Sequence, residues 1–372
     1  MYLIKNATVH IGNGNVIKNS DILIENKKIK QIDKNIVAQN ATVIDATGKE
    51  VFPGFIDPTS SIGAMGIPTS HSDNAEKSNP LMPEMDISYS IDPDEITTQE
   101  FYKSGITCIG LSPNNSNVIG GKIAAFKTAK DKFSNRLIGK NLAMKCSVTA
   151  QPKGVFGDKG VMPMTKMGIF GLINDNIAIL KNKEEKDYST KDKEFKKLVE
   201  GEINPIIAAE TKSEIDAAIT VFSNMSKKLT IVDAYEFDRS LDKIIDTKTS
   251  LIIGNISYLS QATKHNMKLE KLQDVLNAGG MVALTNTCEG FSEGREVIIW
   301  TAIDIYRAGI CSEDVVKMLT LFPAKILGID NKVGSIEIGK DADISIFSAN
   351  PIETYKAKAE VVFINGEVIY NG

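Results

Sequence analysis

The chain is predicted to be an α/β protein: a (β/α)8 TIM barrel beside a small β-sandwich assembled from both termini. Three observations predict this. Eight short apolar runs, separated by helical or loop segments, fill the middle of the chain. Alternating apolar and polar residues mark strands at its beginning and its end. With 372 residues, 42% hydrophobic and 24% charged, it has ample core for one large domain and one smaller one. The expected division is 1–50 and 330–372 for the sandwich and 51–329 for the barrel.

In chain order, Tyr2 to Val9 and Asp21 to Ile32 alternate as antiparallel strands, with turn material at Gly12–Gly14 and Glu25–Lys28. The barrel strands are expected at Val51–Asp57, Ile106–Ser112, Lys122–Lys127, Leu142–Val148, Pro205–Ala209, Leu229–Asp233, Ser250–Gly254 and Met281–Thr285. Each is a buried run too short for a typical helix. Two connections are long and rich in Pro, Gly and Met: Ile62 to Glu95 after the first strand, and Thr149 to Thr165 after the fourth. Both leave from the carboxyl ends of strands, where barrels bind ligands, so either a lid or passive cover is expected. Lys181 to Lys197 reads as a solvated helix or insertion. A helix is expected over Glu296 to Arg307, with Trp300 expected in the core or, as the alternative, in a subunit contact, and another from an N-cap at Ser312. Asp343–Phe347 is a strand, and Val361–Ile364 and Glu367–Tyr370 flank Asn365-Gly366, whose residue types suit a type I′ hairpin turn.

Composition narrows the function. A net charge of −4 argues against a general nucleic-acid or anionic-membrane role. No apolar run reaches about 18 residues, and the first ten residues lack the apolar core of a signal peptide. Cys108, Cys146, Cys288 and Cys311 are far apart with no C-x-x-C, which points to free thiols in a cytoplasmic protein. Cys146 and Cys288 are expected near strand ends in the barrel mouth. The histidines number three: His10, His71 and His265, none of them on an expected barrel strand.

The stretch Val51-Phe-Pro-Gly-Phe-Ile-Asp-Pro-Thr-Ser-Ser61 resembles the first barrel strand of the amidohydrolase superfamily. Asn117-Val-Ile-Gly-Gly-Lys122, Pro163-Met-Thr-Lys-Met-Gly168, Phe322-Pro-Ala-Lys-Ile-Leu-Gly328 and Val333-Gly-Ser-Ile-Glu-Ile-Gly-Lys-Asp-Ala-Asp343 resemble its imidazolonepropionase-related subgroup. The resemblance implies both the barrel and the sandwich of joined termini, and a family reaction that hydrolyses carbon–nitrogen bonds in cyclic amides. It also implies a zinc or other divalent-metal site: two histidines on strand one, a lysine or glutamate on strand four, histidines on strands five and six, an aspartate on strand eight. At those places this chain has Thr59 and Ser61, Lys145, Ala209-Glu210, Asp233 and Thr287. Of the family's set only the lysine matches.

The substitutions bear directly on mechanism. Zinc takes thiolate, imidazole or carboxylate donors, and a neutral hydroxyl is a poor substitute. Metal binding lowers the pKa of water from 15.7 to about 7, which at 1.36 kcal/mol per unit is roughly 12 kcal/mol of activation. A positioned carboxylate base contributes roughly 10²–10⁴ in rate, about 3–5 kcal/mol. Glu210 or Asp233 therefore cannot replace the metal in amide hydrolysis. The expectation is a protein with no metal cofactor that has lost the family reaction and keeps a pocket for a small polar ligand or a partner. Three readings of Lys145, Glu210 and Asp233 stand open: a structural ion-pair network, a ligand-binding cluster, or a metal-independent acid/base site; a further alternative keeps hydrolysis with a non-standard metal and an unorthodox ligand set. Thr59, Ser61 and Thr287 are expected to line the pocket, since no histidine is placed to activate them. Self-association is compatible with everything above.

Overall fold

The computed structural model describes residues 1–66, 72–92, 100–129, 133–288, 291–292 and 296–372, without the side chains of residues 133, 134, 258, 288, 291 and 292. His71 and the end of the first long connection fall outside these residues.

The terminal segments form one sheet. Its N-terminal strands are β1 (Tyr2–His10), β2 (Val16–Glu25), β3 (Lys28–Asp33), β4 (Thr42–Asp45) and β5 (Glu50–Pro53). The barrel follows with β6 (Phe55–Ser60), β7 (Ile106–Leu111), β8 (Ile119–Lys127), β9 (Leu137–Ser147), β10 (Pro205–Ala208), β11 (Thr230–Val232), β12 (Ser250–Ile253) and β13 (Val282–Leu284). A two-residue pair, β14 (Thr287–Cys288) and β15 (Phe291–Ser292), extends from the last barrel strand. Strands β16 (Ile344–Phe347), β17 (Ala359–Ile364) and β18 (Glu367–Asn371) return to the first sheet. Its order is β18-β17-β16-β5-β1-β2-β3, with β4 also on β1, so the two ends of the chain meet where β16 pairs β5. At the hairpin, Asn365 and Gly366 have φ of 52° and 72°, as a type I′ turn requires.

All eight expected barrel strands are present, and the expected fold class is the one found, with two differences of detail. The first run is divided: Glu50–Pro53 pairs within the terminal sheet and Phe55–Ser60 within the barrel, with the break at Gly54. An ideal Cβ on Gly54 would lie 2.0 Å from Thr107 Oγ1, so only glycine passes at this crossing. The second difference is direction. Strand β8 runs antiparallel to both β7 and β9, while β9 to β13 pair in parallel. Only residues 112–118 join β7 to β8, and a parallel return needs a crossover of about a dozen residues or more.

Alternation along the strands separates two cores. Ile56, Cys108, Ile123, Ala143, Ile206, Val232, Ile252 and Ala283, one from each barrel strand, cluster in the interior. Their neighbours Ile109, Met144, Cys146, Ile207, Ile231, Leu251 and Leu284 pack with the surrounding helices. Cys146 therefore faces outward, contrary to its expected place in the mouth, and burial pushes its thiol up to about 12.

The helices also correct the sequence reading. The helix expected from 296 covers Val297–Arg307 and buries Ile298, Ala302 and Ile305. Trp300, about 200° around the helix from Ile298, is 45% exposed. Ser312 is the first helical residue and Cys311 holds the cap position. The connection after β9 is not all loop: Thr149 caps a helix over Ala150–Gly157. In the connection after β6, Leu81 and Asp86 bridge to β8, so that part is pinned to the barrel. Within 181–197, Ser189 and Asp192 form a capping box for the helix Thr190–Val199.

Candidate functional site

The carboxyl ends of β6, β9, β11 and β13 bring the expected site residues into two groups. The first closes the barrel between β6 and β13. Thr285 Oγ1 donates to Asp57 Oδ1 at 2.5 Å, and the Asn286 N–H reaches Asp57 Oδ2 at 3.3 Å. Thr287 Oγ1 donates to the Thr59 carbonyl at 2.7 Å, and the hydroxyls of Thr59 and Thr287 lie 3.4 Å apart. Thr285 Oγ1 is 2.5 Å from Thr287 Oγ1 and 3.1 Å from Thr59 Oγ1. Three hydroxyls and one carboxyl thus form a continuous seam. Burial pushes Asp57 up to about 6, against the lowering effect of these donors. Ser61 is buried just beyond, its carbonyl accepting from the Ala64 N–H.

The second group centres on Lys145, which shares the inward face of β9 with Ala143. Its Nζ donates to Asn115 Oδ1 at 2.6 Å, and Asn115 Nδ2 donates to Asp233 Oδ2 at 3.1 Å. Tyr235 O–H donates to Asp233 Oδ1 at 3.3 Å. Lys145, Asn115 and Asp233 are all buried. Burial pushes the Lys145 amine down to about 8, opposed by the charges of Asp233 and Glu210. Asp233 sits at the end of β11 with φ of 61°, a left-handed conformation that aspartate tolerates better than most residues. Glu210 follows β10 half-buried, and its backbone N–H donates to Glu214 at 3.1 Å.

Lys145 and Asp233 lie in one neighbourhood, joined through Asn115, a residue not among the expected site residues. Asn115 comes from the short β7–β8 connection, where Asn114-Asn115-Ser116-Asn117 is buried throughout. Four consecutive polar residues between two largely apolar strands are a signal of internal hydrogen bonding. Tyr235 and Asp57 carried no comparable signal.

A family profile described as "Amidohydrolase family" matches residues 251–369. The chain is 51% identical over 55 residues to a dihydroorotase of Aquifex aeolicus (strain VF5), a match covering 15% of this chain and 13% of that protein. It is 20% identical over 388 residues to amidohydrolase tasK of Hapsidospora irregularis, covering 92% of this chain but 39% of the relative. These alignments thus span less than half the length of either relative. Among solved structures, an amidohydrolase from Thermotoga maritima MSB8 superimposes with a TM-score of 0.90 at 27% identity, covering 100% of both chains. A molinate hydrolase matches with a TM-score of 0.57 at 14% identity, over 99% of this chain and 94% of that one, a likeness of fold alone. These findings support membership of the amidohydrolase superfamily.

Among the described residues, the donors at these strand ends do not fit the transition-metal site of an amidohydrolase barrel. Among the described residues, no three His, Cys, Asp or Glu side chains converge as a metal site. The hydroxyls of Thr59 and Thr287 face each other, and the Lys145 ammonium is turned to an amide oxygen. Neutral hydroxyls and an ammonium are no ligands for a dication, and the two carboxylates beside Lys145, Asp233 and Glu210, do not by themselves make a tight transition-metal site.

Proposed function

We propose that this amidohydrolase-fold chain has lost the metal centre and metal-dependent hydrolysis, and retains a site for a small polar ligand at the strand-end mouth. One observation supports this reading most. Thr59 and Thr287, at places where the family carries metal ligands, are bound to each other and to Thr285 across the closing seam. Hydrolysis of a cyclic amide without a metal would forgo roughly 12 kcal/mol of water activation, more than a carboxylate base returns. Elemental analysis of protein purified without chelator, with thermal melts in EDTA, tests the proposal. The expected result is substoichiometric metal and an unchanged melt. Stoichiometric zinc or manganese, with cyclic-amide hydrolysis that disappears on its removal, refutes it.

A second reading is favoured by the Lys145 amine, which its enclosure brings to about 8 and into the range of a general base. Lys145, Glu210 and Asp233 would then act on the ligand without metal, Asn115 holding Lys145 and Asp233 in register. Under this reading Lys145→Met and Asp233→Asn abolish turnover while near-UV circular dichroism stays native. Turnover unchanged from the parent chain in both variants would remove it.

A further inference from the structure

His10 lies far from the strand-end mouth, at the last position of β1, and is buried. Its Nδ1 is 2.6 Å from Glu313 Oε1 and its Nε2 is 2.8 Å from Glu50 Oε2. The ring stacks on Phe52 at 4.1 Å between centroids and 10° between planes. Glu50 belongs to β5 of the terminal sheet, while Glu313 lies in the first turn of the helix Ser312–Leu319, which packs against β13 and β6. A neutral imidazole has one N–H, so one of these two nitrogens would turn a lone pair toward a carboxylate. Only the imidazolium satisfies both partners.

The geometry points to His10 as a protonated clamp that ties the terminal sheet to the barrel's closing helix and releases it as pH rises. Among the described residues, the ring has no hydrogen-bond or ion-pair partner besides Glu50 and Glu313. Opposite His10, β2 presents Val16; opposite Glu50, β16 presents Phe347. On the helix, Asp314 is paired with Lys317 and also accepts from Cys311. The second oxygen of Glu313 is buried without a partner, so loss of the imidazolium leaves that carboxylate uncompensated. The two carboxylates raise the pKa of His10 above 6.5 despite its burial, which lowers it. The sign follows: the stabilisation is complete below the unfolded value near 6.5 and is lost as pH climbs through the higher folded value. Because the helix backs the two strands that meet at the Asp57–Thr285 seam, the release would loosen the candidate site from behind.

The test uses the full chain labelled with ¹⁵N-histidine, whose three histidines keep the ring spectrum simple. His10 is expected to be doubly protonated at neutral pH and to titrate above the ordinary imidazole value, and Glu313→Gln should move that titration down. Amide exchange in Ser312–Leu319 should accelerate with pH beyond its intrinsic base-catalysed rise, and His10→Gln should remove the excess. A His10 ring neutral at neutral pH, or an excess acceleration that persists in His10→Gln, overturns the proposal. Neither readout depends on whether the chain binds metal or ligand.

Discussion

Lys145 is fully enclosed, and its pKa of about 8 lies below the 10.5 of an exposed lysine. Between those values the unfolded chain holds a proton that the folded chain has released, so this residue makes stability rise with pH across that window. Lys145→Met should flatten that rise relative to the parent chain, measured by urea midpoints at several pH values from neutral to alkaline. If the two profiles stay parallel, the amine is not perturbed. Asp57 has a different role at the same scale, as the acceptor for Thr285 and for two backbone N–H groups, those of Thr59 and Asn286. Removing it strands the two backbone N–H donors in the interior, while the Thr285 hydroxyl keeps Thr287 Oγ1 within reach. Asp57→Ala is therefore expected to cost about 3 kcal/mol in urea unfolding, whereas a loss under about 0.5 kcal/mol would mean that the seam repacks without it.

Among the elements, apolar runs located all eight barrel strands because burial on both faces leaves an unmistakable continuous signature. They could not give the direction of β8, since an apolar run reads the same for a parallel or an antiparallel neighbour. The seven residues of 112–118 did contain that information, being too few for a crossover. The hydroxyl seam was equally hidden: Thr59 and Thr287 lie 228 residues apart and meet only once the barrel closes. Trp300 was misjudged because a helix with apolar residues on several faces does not announce which of them is covered. Close packing of strand ends gives the prediction at this scale. An ideal Cβ on Gly254, just after β12, would lie 2.6 Å from Asp233 Oδ1 and 2.7 Å from the Thr287 carbonyl. Gly254→Ala should push β11 and β14 apart and destabilise the chain by roughly 1–3 kcal/mol. The same variant should disturb the Lys145–Asn115–Asp233 chain, visible as a shifted Lys145 titration by NMR; an unmoved titration and an unchanged midpoint would show that the mouth has room to spare.

For the whole molecule, the antiparallel β8 explains why the C-terminal signature has the form it does. Running against its neighbours, β8 delivers Lys127 to the end of the barrel nearest the terminal sheet. There Lys127 Nζ bonds Asp343 and, at 3.1 Å, Asp341, the two acids of the Lys-Asp-Ala-Asp run. Asp341 also takes Lys28 of β3 at 2.6 Å, and Asp343 accepts from the Asn365 N–H of the last hairpin at 2.8 Å. A motif that marked the family in the sequence is thus a joint between sheet and barrel rather than chemistry. Lys127 is 2% exposed and Asp343 5%, so removing Asp343 leaves the buried ammonium with Asp341 alone and takes the acceptor from the Asn365 N–H. Asp343→Ala is expected to cost about 1.5–3 kcal/mol. Replacing both charges by apolar residues of similar size, Lys127→Met with Asp343→Leu, should cost less than the sum of the single changes, because the double variant buries no unpaired charge. Asp341 stays behind with Lys28 in that background and keeps its own partner. Urea unfolding of the four chains in the cycle measures the coupling, and strictly additive losses would show that the two halves are held together by their apolar contact instead.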